Sequence, residues 1–286
     1  MNDQKTWTVL ELIQWTKGFL QQKGIENSRR EAEDLLGQVL ELDRLKLYLA
    51  FETTPSPVEV AAFRGLVARR AKREPLQYLL GWQPFMGLKI KTDARALIPR
   101  PETERLVELA LECLKPDGHF ADIGTGSGCI ALALLKGSAA TGIATDISVE
   151  ALELAAENAR ALELASRLEL LHGQGLAPLQ SGAAKLDLLV SNPPYIPEAD
   201  REGLMPEVRD YEPATALFGG AEGMDLLRSI GSQAHAFLKS GAWMLLECGQ
   251  GQPARLREEL SPLFWNNLRA EKDQFGVERF LLAQRS

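Results

Sequence analysis

The stretch His119-Phe-Ala-Asp122-Ile-Gly124-Thr-Gly126-Ser-Gly128-Cys-Ile-Ala-Leu-Ala-Leu-Leu135 decides the fold. A short apolar run ends on three alternating glycines, and a longer apolar run follows. The segment therefore reads as strand 119–123, glycine turn and helix 128–135. Glycines at such a junction let the backbone turn sharply and approach a ligand, and the start of the next helix offers unpaired N–H donors and positive potential. The spacing is G-x-G-x-G, not the G-x-G-x-x-G of dinucleotide folds, and no Gly-Lys-Ser/Thr follows to cradle phosphates, so NAD and ATP lose ground.

From Pro101 onward helices and short apolar strands alternate: helix 102–114, strand 119–123, helix 128–135, strand 141–145, helix 149–161, strands 167–171 and 186–191, helix 224–238, strand 242–248, helix 252–260 and a strand pair after Leu268. This pattern predicts an α/β fold with a mostly parallel sheet covered by helices. Asp146 ends the strand after the glycine turn, where an acidic side chain can accept both hydroxyls of a ribose. Together with the glycine loop it points to a bound nucleoside.

A second constellation, Ser191-Asn192-Pro193-Pro194-Tyr195, closes the apolar strand 186–191, at the strand end where open α/β sheets hold ligands. Two prolines remove backbone donors and stiffen the loop, leaving the Asn192 side-chain carbonyl and the Pro193 backbone carbonyl as fixed acceptors. Such a pair can grip both hydrogens of an NH₂ group. An amide nitrogen is a poor nucleophile because its lone pair is delocalised, so acceptors that favour a pyramidal nitrogen help only as the transition state forms. Tyr195 is placed to lie against a planar substrate.

The N-terminal part reads as helices. Three capping boxes are expected, Thr8 to Glu11, Ser28 to Glu31, and Ser56 to Glu59 with Pro57 at the first helical position. Apolar residues recur at helical spacing, as in Leu12, Trp15, Phe19 and Leu20. A helical bundle over 1–80 follows, then a hairpin linker over 81–100 with extended segments on either side of Thr92 and Asp93, then an α/β catalytic domain over 101–286. The first 80 residues carry 12 Lys and Arg against 11 Asp and Glu, leaving 20 against 28 for the remainder. Within the bundle, Arg64, Arg69, Arg70, Lys72 and Arg73 crowd together as a candidate partner-binding face.

Net charge is −7 over 286 residues, which argues against a surface built mainly to hold a nucleic-acid backbone. No apolar run approaches the roughly 18 residues of a spanning helix. The polar N-terminus around Asp3, Lys5 and Glu11 lacks a secretory signal, so the cytoplasm is the expected compartment. Three cysteines and three histidines are scattered without metal-ligand spacing, so neither a disulfide framework nor a metal centre is expected.

Asn-Pro-Pro-Tyr at a strand end resembles the loop of class I S-adenosylmethionine-dependent methyltransferases, which have a Rossmann-like seven-stranded sheet and act on planar nitrogen. It is shared by enzymes for adenine or cytosine in DNA, guanine in RNA and glutamine in protein. The whole chain resembles the PrmC/HemK glutamine methyltransferases of peptide chain release factors. The resemblance rests on the helical N-terminal domain, Ile98-Pro-Arg100-Pro-Glu102-Thr-Glu104, DIGTGSG, SNPPYI, and Glu212-Pro-Ala-Thr-Ala-Leu217 before Gly219-Gly220. It implies transfer of the methyl of S-adenosyl-L-methionine to the side-chain amide nitrogen of glutamine in the Gly-Gly-Gln motif of class I release factors, with S-adenosyl-L-homocysteine as product. It also implies that Gly124, Thr125, Gly126, Ser127 and Gly128 line the methionine part of the cofactor, that Asp146 binds its ribose, and that Asn192, Pro193, Pro194 and Tyr195 hold the glutamine amide. Asn192, Pro193 and Tyr195 are the expected catalytic residues, with Asn192 also touching the cofactor. Where the family often has an acidic residue beside adenine, this chain has Gly173-Gln174-Gly175, leaving Gln174 and Gly175 to meet the base. Glu247-Cys248-Gly249-Gln250 resembles the family's Glu-Ile-Gly-x-Gln, with Cys for an apolar residue. The alternative is a DNA or RNA exocyclic-amine methyltransferase, favoured by the shared loop and opposed by the acidic balance.

Overall fold

The computed structural model describes residues 6–179 and 185–286, so Asp3 and Lys5 of the expected polar N-terminus lie outside it. By its contacts the chain divides into two units. One holds the described residues through Gly81 together with Pro206–Tyr211, and the other holds Trp82–Met205 and Glu212–Ser286.

The first unit is helical, with α1 Val9–Gln22, α2 Ser28–Leu40, α3 Arg44–Leu49, α4 Pro57–Arg70 and α5 Leu76–Leu80. Thr8 and Ser56 cap α1 and α4 through the reciprocal bonds expected of capping boxes. The third box is absent. Asn27, not Ser28, precedes α2, Ser28 is buried in its first turn, and Glu31 binds the Arg70 guanidinium instead. The buried stripe of α1 is Val9, Leu12, Ile13, Thr16 and Leu20; Trp15 lies outside it, stacked on Phe19 at 5.2 Å between ring centres. With Leu35, Leu36, Leu47, Phe63, Val67 and Leu79 that stripe forms the unit's core.

In the second unit β1 Trp82–Phe85 pairs antiparallel with β2 Leu88–Lys91. The expected hairpin is present, but it turns at Met86 and Gly87, both at positive φ, not at Thr92 and Asp93. Positive φ at both central residues is the two-residue turn whose twist suits paired strands. The chain continues as α6 Pro101–Cys113, β3 His119–Ile123, α7 Cys129–Gly137, β4 Thr141–Asp146, α8 Val149–Ala161, β5 Leu168–His172 and β6 Leu186–Ser191. Next come the short helices α9 Pro206–Tyr211 and α10 Ala214–Leu217, then α11 Asp225–Gln233, β7 Leu238–Glu247, α12 Gln252–Glu259, β8 Trp265–Lys272 and β9 Glu278–Arg285. The sequence reading did not resolve α9 and α10, and it merged the 3₁₀ turn Ala234–Ala236 and the start of β7 into helix 224–238.

The seven strands run in the order β5-β4-β3-β6-β7-β9-β8, parallel except for β9, which is antiparallel to both neighbours. One face is sealed by α6, α7 and the hairpin, whose Leu106, Leu134 and Phe85 share a core with Phe120 of β3, and the other by α11 and α12 through Leu227, Ile230 and Leu256. Because β4 and β5 extend to one side of β3 and β6 to the other, the strand order reverses at β3, and the crevice at the carboxyl ends of these strands is where such sheets take ligands.

The helix α9 belongs to the first unit, not to the catalytic stretch in which it lies in sequence. Its Glu207 is buried and accepts from Arg70 Nη1 at 3.0 Å and Arg73 Nη2 at 2.9 Å, while Arg69 pairs with Glu74. The run of positive charge expected as an open face is thus largely neutralised from within, leaving Arg64 and Lys72 of the five without an ion pair among the described residues.

Candidate active site

A cavity of about 840 Å³ opens at the carboxyl ends of β3 to β6. It is bordered by Gly124, Thr125, Gly126 and Ser127 after β3, Asp146 at the end of β4, Gln174 and Gly175 after β5, and Asn192 and Pro194 after β6. Four strand ends thus bring together residues that the sequence separates by up to 70 positions.

Gly124 sits at φ 73° with open space where a Cβ would project, so a side chain there would enter the cavity. The Asp146 carboxylate is held by two backbone donors, Gly126 N–H to Oδ2 at 2.8 Å and Ser148 N–H to Oδ1 at 2.9 Å. Each oxygen keeps a lone pair for a ligand hydroxyl. Beneath the loop, Asp122 is fully buried, and burial pushes its carboxyl up to about 7 against the pull of the Thr125 hydroxyl at 2.6 Å and the Ala131 N–H. The fixed loop, the Asp146 carboxylate with lone pairs to spare and the space between them fit a nucleoside carrying a methionine chain. Leu176, Leu179, Leu226 and Phe237 form an apolar wall beside Gln174, suited to a planar base.

Gly128, Pro193 and Tyr195 do not border the cavity. Gly128 opens α7 against α8, where a Cβ would press on Ala155. Pro193 is buried, so its part is to stiffen the loop. Tyr195 was expected against the substrate plane; its ring instead packs into the core face and its hydroxyl donates to Glu247 Oε1 at 3.3 Å. Its backbone carbonyl is held by Gln252 Nε2 at 2.9 Å. Gly219 and Gly223 pass so close to the carbonyls of Pro194 and Tyr195 that a Cβ at either would collide.

Four contributors fall in segments that the sequence reading noted without giving them a role in the site. Arg100 and Thr103 border the cavity, and the buried carboxylates Glu212 and Glu247 hold them. The available signal was that Glu247 ends an otherwise apolar strand, where an acid needs a specific partner. Cys129 also borders the cavity; burial pushes its thiol up to about 12, so it is not a nucleophile at neutral pH. Among the described residues no His, Cys, Asp and Glu group is arranged to hold a metal.

The PrmC N-terminal domain family matches residues 11–81, and the methyltransferase small domain family matches residues 103–205. A release factor glutamine methyltransferase of Geobacter sulfurreducens is 45% identical, the alignment covering 96% of this chain and 95% of that one. The chain belongs to the release factor glutamine methyltransferases. A second relative of that name, from Moorella thermoacetica, is 43% identical over 92% of this chain and 93% of its own. A methyltransferase of Pyrococcus furiosus shares the class I fold, with TM-score 0.53 and 20% identity over 70% of this chain and 89% of that structure. Within this family of S-adenosylmethionine-dependent transferases, the glycine loop, Asp146 and Asn192 border one cavity in this chain.

Proposed function

We propose that the protein methylates the side-chain amide nitrogen of a release-factor glutamine, that of the Gly-Gly-Gln motif, in the cytoplasm, and that Asn192 is the residue that holds this amide. The observation that carries the reading is that Asn192 and Asp146 border the same cavity in a chain aligned nearly end to end with glutamine methyltransferases. S-adenosylmethionine supplies an electrophilic methyl on a sulfonium sulfur. The glycine loop and Asp146 would fix the nucleoside and methionine ends. Asn192 Oδ1 and the carbonyls of its loop would accept the amide hydrogens, turning the nitrogen lone pair toward the methyl; alignment of this kind can supply effective molarities of about 10⁵ M or more. The nitrogen would gain the methyl as its bond to sulfur breaks, the electron pair staying on sulfur as a neutral thioether, and would give up one proton, which is acidic enough in the transient cation to pass to water. The helical unit, matched to the PrmC N-terminal domain, is assigned to recognition of the release factor.

The test is transfer of labelled methyl into a purified release factor, beside a variant whose Gly-Gly-Gln glutamine is replaced and beside total RNA and DNA. Label in the intact factor alone is expected; label in nucleic acid, or in the glutamine variant, would overturn the substrate.

A further inference from the structure

The Thr103 hydroxyl stands between two groups that leave it one arrangement. Thr103, in the first turn of α6, is 2% exposed; its Oγ1 donates to Glu247 Oε2 at 2.8 Å and accepts from Asn192 Nδ2 at 3.1 Å. A hydroxyl has one proton. Glu247 accepts from Thr103 on one oxygen and from the Tyr195 hydroxyl on the other, so the Thr103 proton is committed and only a lone pair faces Asn192. Asn192 must then present its NH₂ to Thr103 and keep its carbonyl for the occupant of the cavity. The reversed amide would set oxygen lone pairs against each other.

We propose that Thr103 and Glu247 are positioning residues that lock the Asn192 side-chain amide with its carbonyl toward the cavity, so that the site accepts an NH₂ group and rejects a carbonyl at that point. The proposal rests on the amide-methylating function above. Loop rigidity alone does not supply this, because rotating an amide by half a turn exchanges donor and acceptor at almost constant shape.

The lock depends on the charge of Glu247. The groups facing its carboxyl are Thr103 and Glu102 from α6, Tyr195 from the loop after β6, and Arg279 from β9, itself bound to Asp273. Burial pushes the Glu247 carboxyl up to about 7, against Thr103, Arg279 and Tyr195. Once protonated, Glu247 can donate to Thr103, the Thr103 proton is released toward Asn192, and the amide turns over. Acceptance of the substrate amide is therefore lost as pH falls through about 7.

The test uses the full chain labelled with ¹⁵N-asparagine, in which the Asn192 NH₂ resonance is assigned by its loss in Asn192→Asp, together with single-turnover methylation of a release factor. The wild-type resonance is expected to titrate with a midpoint near 7 and to stop titrating in Glu247→Gln. Thr103→Val should shift the resonance and slow turnover about 10- to 100-fold while cofactor affinity stays within about twofold, and Thr103→Ser should restore both. An Asn192 resonance that does not titrate in the wild type, or that is unmoved by Thr103→Val, overturns the proposal, as does a Thr103→Ser enzyme as slow as Thr103→Val. The wild-type titration needs no variant to fold. If it behaves as stated while no methyl reaches the release factor, the substrate assignment falls and the lock stands.

Discussion

The Arg100 guanidinium meets the Glu212 carboxylate at 2.6 Å, tying together two segments 112 residues apart, Ile98–Glu104 and Glu212–Leu217. The same carboxylate accepts the Ile98 backbone N–H at 3.1 Å. One buried acid thus fixes both the strand-like approach to α6 and the short helix α10, and both border the cavity. Glu212→Ala would leave a buried N–H unpaired and Arg100 without its partner. We expect a loss of about 1–3 kcal/mol, read by urea unfolding, together with a higher KM for the release factor.

Asn192→Ala removes the side-chain acceptor and leaves the glycine loop and Asp146 in place. Turnover should fall by about 100-fold or more, with cofactor affinity by calorimetry nearly intact. A large loss of cofactor binding with normal turnover per bound cofactor would place Asn192 in the cofactor site alone.

Gly219→Ala tests the fit of the loop from behind. The new methyl would collide with the Pro194 carbonyl oxygen, and backbone on both sides leaves little room to yield. We expect the Asn-Pro-Pro-Tyr loop to shift and turnover to drop about 100-fold, the usual order for misplacement near 1 Å, while the melting temperature changes far less than for a core truncation.

Two buried carboxyls give stability a definite pH dependence. Burial raises Asp122 and Glu247 each to about 7, well above their unfolded values near 4. Between about pH 4 and 7 the folded state holds protons that the unfolded chain has shed, so their contribution to stability falls as pH rises and levels off above 7, with a slope of up to about 1.4 kcal/mol per pH unit per group. Asp187 acts oppositely. Burial alone would raise it, but Lys239, the His119 N–H and Lys115 together hold it at about 2, so its stabilisation is lost as pH falls below about 4. Asp122→Asn should flatten the slope of unfolding free energy between pH 4.5 and 7, and an unchanged slope would show that Asp122 titrates normally.

Glu207 is the acid that Arg70 and Arg73 share, and its loss leaves Arg70 with Glu31 alone. Glu207→Ala should destabilise the helical unit by about 1–3 kcal/mol, visible as an early transition in chemical unfolding. Glu207→Gln, which keeps an acceptor for these guanidiniums, should cost less than Glu207→Ala.

Much of the α/β architecture was legible because periodicity, glycine and proline act locally. Strands β3, β4 and β6 and helix α8 fall within a residue of their expected bounds, and Gly124 to Ser127, Asp146 and Asn192 do share one cavity. What was illegible depends on partners distant in sequence. Ser28 looked like a cap, but Glu31 had a tertiary partner in Arg70 that local spacing cannot reveal. The hairpin turn was misplaced because Met86, not a usual turn former, adopts positive φ beside Gly87. Tyr195 reads in the sequence as an aromatic face for a planar substrate, and the bond from its hydroxyl to Glu247, 52 residues away, has no local signal. Thr103 and Glu247 each look unremarkable alone and acquire a role only when β7 and α6 are brought side by side.

The excursion of α9 means that the helical unit is not one continuous length of chain. A fragment ending at Gly81 would lack Glu207 and leave Arg70 and Arg73 facing a gap that their own segment cannot fill. The unit is therefore not a cassette to be exchanged between relatives by a single splice: a chimera that keeps its stability must transplant residues 1–81 and 206–211 together.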